Sequence, residues 1–252
     1  MSELSSVPPP PPPPPDGTAT QPPPPPTLPP LNETQFDFAK PFTFVFDDPR
    51  WLQKVGLGGL FYLAAFFIIG WFFILGYCSR LARNVITGQQ YPLPEWDDLG
   101  EMFSEGARLI GVGLIYVAPL VIVAMTIMIP SIAMSSTDSE AAQVIGSGMA
   151  GCLWCLMVPL SLAVMLFLPA SLLFATVENR FGAAFELGRI WAFIRNNIGN
   201  YLLAILVYLI ARFLASFGIA LFCVGVIFTA FWAMLVQTYA FAQVYRVAVT
   251  TK

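Results

Sequence analysis

Three groups of residues in this chain have the types and spacing to do chemistry. The first is the acidic turn Leu93-Pro94-Glu95-Trp96-Asp97-Asp98, which holds Glu95, Asp97 and Asp98 almost side by side. Carboxylates this close can share a proton for acid–base work or bind a divalent cation through oxygen. A plainer reading also stands: Pro94 ends the preceding structure, Trp96 anchors at a membrane interface, and Asp97 or Asp98 caps the next helix at its positive dipole end. The second group is Cys152-Leu153-Trp154-Cys155, a C-x-x-C spacing found in redox and metal sites. It sits inside an apolar run with no base beside it, so the two cysteines read as small packing residues. The third is Arg212, a lone cation in another apolar run.

What is missing narrows the chemistry. The chain has no histidine, which removes the commonest general base and metal ligand. Ser161 and Ser171 have no histidine or lysine partner for a hydrolase triad. No apolar run long enough to span a membrane contains Asp or Glu, which argues against intramembrane proteolysis by paired aspartates and against an acidic proton relay. No enzyme is expected, and no catalytic, metal or cofactor-binding residue is assigned. With a net charge of −3 and its basic residues scattered, the chain offers no footprint for nucleic acid. Cys78, Cys152, Cys155 and Cys223 all fall in or beside apolar runs, where disulfide frameworks and zinc fingers are not built.

The elements that must position these residues are membrane helices. The chain is 57% hydrophobic and only 11% charged, with a mean hydropathy of +0.71, whereas soluble domains carry roughly 25% charged residues. Crossing a hydrocarbon core takes about 20 apolar residues as a helix. The runs 55–77, 109–132, 144–168, 201–222 and 226–245 meet that length, and none alternates as a barrel strand would. The fold class is therefore an all-α polytopic bundle embedded in lipid. The last two runs read as a hairpin turning near Cys223, Val224 and Gly225. Residues 182–200 read as an amphipathic interfacial helix with Leu187, Trp191, Ile194 and Ile198 on its apolar face. The aromatic and acidic segment 36–51 is expected in the headgroup layer. A faint echo links Phe36-x-x-Ala39-x-x-Phe42 to Phe181-x-x-Ala184-x-x-Leu187.

On this plan Arg212 falls near the middle of a span, where arginine costs about 2.5–3.5 kcal/mol. Its donors should then meet carbonyls freed by Pro119, Pro159 or Pro169, or Tyr and Ser hydroxyls. It either holds helices together or contacts a lipid phosphate or an anionic solute. Residues 1–35 are expected to form a separate, disordered proline-rich tail with the runs 8–15 and 22–26, which favour extended polyproline II and do not resemble a signal peptide. Such a tail is a linker or a docking strip for a protein partner.

The distribution of Lys and Arg predicts that the loops 78–108 and 178–200 and the C-terminus are cytoplasmic. Five full spans then leave the tail outside, although Arg50 and Lys54 at the membrane edge pull it inward. The conflict disappears if the chain reverses near Gly70 and re-enters. Both arrangements are open.

The loop after the first apolar run carries a resemblance. Gly76-Tyr77 followed by Arg80, Arg83 and Asn84, and then Leu93-Pro94-Glu95-Trp96-Asp97-Asp98, resembles a family of prokaryotic integral membrane proteins known only as a domain of unknown function. The resemblance covers residues 48 to about 246. It implies an α-helical domain in a prokaryotic plasma membrane, assigns no activity, and transfers no site residue. Three functions remain: a non-enzymatic component that organises partner proteins, a pore or carrier for a small or amphipathic solute, and a lipid-acting enzyme. Substrate and oligomeric state are not legible.

Overall fold

The computed structural model describes residues 35–220 and 224–250, and all of its regular structure is helical. The proline-rich tail and Cys223 lie outside the described residues. Four helices are long and apolar enough to cross a membrane: α4 (Leu99–Ser135), α5 (Glu140–Val177), α7 (Ile198–Ser216) and the stretch Gly225–Thr250 of α8 (Val224–Thr250). The expected all-α bundle is what is observed.

Helix α1 (Lys40–Asp47) starts where the Asp37 carboxylate accepts hydrogen bonds from the Ala39 and Lys40 amides, at 2.9 and 3.2 Å. Its buried ring, Phe44, stacks on Tyr239 of α8 at 4.4 Å, while Phe38 and Phe46 stay exposed. The aromatic segment thus lies against the bundle.

The apolar run 55–77 is not one span. Helix α2 (Trp51–Ala64) passes through a 3-10 turn at Ala65–Phe67, and the chain then reverses into α3 (Ile69–Ile86). Phe61 meets Phe73 at 4.9 Å and Tyr62 meets Trp71 at 5.8 Å, the ladder of an antiparallel hairpin. At the turn Ile68 has φ 70°, rare for a β-branched residue. Gly70 makes the reversal possible, since a Cβ there would lie 2.1 Å from the Phe61 carbonyl oxygen. Apolar length says that a segment sits in lipid; it does not say whether the chain crosses or turns back.

Other expected boundaries shift as well. The runs 109–132 and 144–168 are the middles of α4 and α5, whose 37 and 38 residues are longer than a bilayer requires. Residues 182–200 divide into a 3-10 turn (Phe181–Phe185), helix α6 (Leu187–Asn196) and the start of α7, with the break at Asn197. Of the four residues expected on the apolar face only Ile194 is buried. Ile190, one turn earlier, joins it against α5, α7 and α8, while Leu187, Trp191 and Ile198 are about half exposed. The echo between Phe36 and Phe181 corresponds to a helix start in one case and a 3-10 turn in the other.

The C-terminal hairpin forms as expected, with Val224 and Gly225 already inside α8 and Thr229 Oγ1 donating to the Ala215 carbonyl at 2.9 Å. Helix α8 is the spine of the bundle. Phe231, Leu235 and Tyr239 pack with α1, α2 and α3, while Ala233, Val236 and Ala240 pack with α5, α6 and α7. In its best 18-residue window α8 is 50% buried, against 6% for α4 and none for α5. The most apolar stretches of α4 and α5 therefore face outward, while Met102, Leu109 and Val112 of α4 and Ala170, Leu173, Phe174 and Ala175 of α5 join the core. In lipid such surface gains nothing by meeting another helix, so the bundle is held by close packing and polar contacts.

Candidate functional site

The acidic turn, the start of α2 and the end of α3 meet at one end of the bundle. Asp48 and Lys54 form an ion pair of 2.7 Å with side chains only 4% and 6% exposed. The Lys54 ammonium also donates to the Leu93 carbonyl at 2.8 Å and lies 2.8 Å from Glu95 Oε1, so each of its three donors has an acceptor. Arg50 closes on Glu95 at 2.6 Å. Beside this, Tyr77 Oη donates to the Pro94 carbonyl at 3.0 Å and Asn84 Nδ2 to that of Pro92 at 2.9 Å. Three separate side chains thus hold the backbone of residues 92–94.

Trp96 packs against the hairpin. Its ring is partly buried and stacks on both Phe61 at 4.6 Å and Tyr77 at 4.3 Å, and its Nε1–H donates to the Lys54 carbonyl at 2.9 Å. The loop's aromatic ring thereby bridges the two arms of the α2–α3 hairpin.

Asp97 and Asp98 face Arg80 instead of each other. The Arg80 guanidinium lies 3.2 Å from Asp97, 3.7 Å from Asp98 and 2.7 Å from Glu101. Arg83, on the same face of α3, pairs with Glu105, which is buried. Asp98 does occupy the position before α4, but in a left-handed conformation (φ 50°, ψ 54°) with no side-chain capping bond. Its expected capping role is not what the carboxylate does, because Arg80 competes for it. Four cations, Arg50, Lys54, Arg80 and Arg83, thus face six carboxylates in a clasp that fastens the acidic turn to α2, α3 and α4. No cluster suited to holding a metal ion occurs among the described residues.

A second ion cluster adjoins it. Arg108 donates to the Asn179 carbonyl at 2.6 Å, while Glu178, Arg180, Glu186 and Arg189 interlock in the turn between α5 and α6. The hydrogen bond from Arg180, reinforced by Arg189, holds the Glu178 carboxyl below its usual range. Arg189 also lies over the Phe174 ring at 4.9 Å. Near it, α6 and the end of α8 border an open cavity of about 550 Å³ whose lining includes Arg189, Asn196, Asn200 and Tyr245. Gly88 approaches the Arg246 guanidinium, which brings the end of α8 to the end of α3. Through these contacts Lys54, Arg80, Arg83, Arg108, Arg180, Arg189 and Arg246 all belong to one end of the bundle.

Arg212 belongs to the other end. It lies four residues before the end of α7, is exposed, and makes no hydrogen bond or ion pair with the described residues. The expected bonds to proline-freed carbonyls and hydroxyls are not made by Arg212. Near Pro169 it is Tyr201 that reaches the Leu166 carbonyl, at 2.6 Å. Cys152 and Cys155 are exposed on α5, so they do not serve as internal packing. Ser171 is committed to Tyr116 Oη at 2.6 Å, and Tyr116 in turn donates to the Ala184 carbonyl at 2.8 Å.

Sequence reading singled out Arg80, Arg83, Glu95, Trp96, Asp97 and Asp98, and the structure brings all six together. It missed Asp48, Arg50, Lys54, Glu101 and Glu105. A usable signal was present, since Glu101 and Glu105 share one helical face and Arg80 and Arg83 another, at i,i+4 and i,i+3 spacing.

A family profile described as "Protein of unknown function (DUF4013)" matches residues 59–224. No curated protein and no solved structure matches the chain.

Proposed function

We propose that this chain, which belongs to the family of proteins of unknown function DUF4013, is a non-enzymatic multi-pass membrane component that presents a docking strip to partner proteins from a rigid cytoplasmic platform. The observation that carries the reading is the clasp. Its ionic groups are spent on one another, which suits a part built to hold a shape better than one built to turn over a substrate. The platform lies at the end where α1, the acidic turn, the α5–α6 turn and the end of α8 meet, and the first described residues before α1 join it there. The proline runs 8–15 and 22–26 are of the composition that aromatic-lined grooves on partner proteins recognise.

Orientation follows from charge. All described Lys and Arg except Arg212 lie at the platform end, and short loops rich in these residues stay cytoplasmic. An α2–α3 hairpin that dips into the bilayer and returns keeps both termini on that side, and it removes the conflict created by Arg50 and Lys54. The side chains at its tip suit lipid: Phe66, Phe67 and Ile68 are 86%, 74% and 70% exposed.

Single cysteines at Ser5, Gln90, Ser136 and Asn196, in a background without native cysteines, test the topology. Only Ser136 is expected to label in intact cells; labelling of Ser5 or Gln90 from outside removes the re-entrant arrangement. The docking reading is tested by deleting residues 1–31. Partners that co-purify with the full chain are expected to be lost while the membrane domain stays monodisperse, and an unchanged set of partners reduces the tail to a linker.

A further inference from the structure

Between the helices, in two spaces that are partly open to the outside, polar side chains gather where no charge does. A cavity of about 180 Å³ lies between α3, α4, α5 and α8, and its lining includes Ser79, Thr176, Gln237 and Thr238. A second, of about 290 Å³, lies between α4, α5, α7 and α8 and is bordered by Ser161, Tyr208 and Gln237. Both are also bordered by Pro169 and Phe241, so the two spaces adjoin across Gln237.

Several of these groups lack partners. Ser79 Oγ is buried, in a residue 2% exposed, and makes no hydrogen bond. The Gln237 carboxamide and the Tyr208 hydroxyl make none with the described residues either. Pro169 has no N–H to offer the Met165 carbonyl, and Met165 lines the second cavity. Of these groups Ser79 is the buried one, whereas Gln237 and Tyr208 are partly buried, and an unpaired hydroxyl in its position costs free energy that a hydrogen-bonding occupant recovers. The smaller cavity alone has room for about six water molecules at roughly 30 Å³ each.

Position adds direction. On α5, Thr176 borders the first cavity just below the charged end and Ser161 borders the second. Fifteen residues of helix separate them, about 22 Å of a hydrocarbon core about 30 Å thick. No Lys, Arg, Asp or Glu borders either space, so nothing there would balance an ion. We infer that Gln237, with Ser79 on one side and Tyr208 on the other, forms a transmembrane pathway for small uncharged hydrogen-bonding molecules: water, or a small polyol or amide. The inference is independent of the docking role, since it needs only the membrane domain.

Full-length protein reconstituted in liposomes and mixed with hyperosmotic glycerol or urea tests it by light scattering. The initial shrinkage reports water, and the later re-swelling reports the solute. At least one of the two rates is expected to exceed that of protein-free vesicles. Gln237→Leu is expected to slow the accelerated phase about tenfold, the factor that one lost hydrogen bond is worth. Ser79→Ala removes a hydroxyl that the fold leaves unpaired, so it should fold normally while slowing that phase by a smaller factor. Equal rates with and without protein, or wild-type rates in both variants, overturn the assignment.

Discussion

Lys54→Met is expected to destabilise the folded protein by about 3–5 kcal/mol, because it strands the Asp48 carboxylate in a site 4% exposed. The Asp48 charge cannot reach water without opening the junction of α2 with the acidic turn. The substitution also takes a donor from the Leu93 carbonyl and a counter-charge from Glu95. Adding Asp48→Leu removes the stranded charge, and most of the loss should return. Recovery stays incomplete because the Arg50 amide, which donates to Asp48 Oδ1 at 2.8 Å, loses its acceptor. Thermal unfolding of detergent-purified protein, run as a double-mutant cycle, measures this directly. A loss below about 1 kcal/mol for Lys54→Met would mean that the pair behaves as an exposed surface bridge.

Gly106→Val should be comparably damaging for a steric reason. A Cβ at Gly106 would lie 1.7 Å from the Phe72 carbonyl oxygen, and one at Gly76 would lie 2.0 Å from that of Met102. The two glycines let the backbones of α3 and α4 touch at their crossing, the contact that small residues provide in membrane bundles. Because the obstructing atoms are backbone, no rotamer change relieves the clash, and the helices must separate. The expected cost is about 3 kcal/mol, the upper end for overpacking, with loss of the monodisperse species after extraction. Gly113→Ala on the same helix is the control, since a Cβ there meets nothing within 4 Å. Equal yields and midpoints for the two variants would show that the crossing is not tightly packed.

The first effect sits where α2 meets the acidic turn and the second where α4 crosses α3 near its start, the two supports of the hairpin in which sequence and structure diverge most. The run 55–77 reads as a span because its apolar length is sufficient. The reversal at Ile68 depends on contacts with Trp96 and the start of α4, residues distant in the chain. Trp96 illustrates the same limit. An aromatic residue beside acids matches an interface anchor in sequence, yet Phe61 and Tyr77 close on both of its faces once the hairpin exists. Arg212 shifted for another reason. With the hairpin turn set at residue 223 it lies mid-span, but the α-helix itself ends at Ser216 and passes into a 3-10 turn at Phe217–Ala220, which leaves Arg212 one turn from the helix end.

Composition and run length by themselves determined that this chain is a helical membrane protein with its basic residues segregated from its apolar ones, because partition into lipid depends on local side-chain chemistry summed over about 20 residues. They also marked the acidic turn and Arg80 and Arg83 as the distinctive chemistry. Only the tertiary structure decided that those acids are bound by cations, that one apolar run turns back, and that Ser79 and Gln237 border one cavity. Each of these depends on which distant residues meet: helical spacing marks the face that carries Arg80 and Arg83 and the face that carries Glu101 and Glu105, but not that the two faces pair.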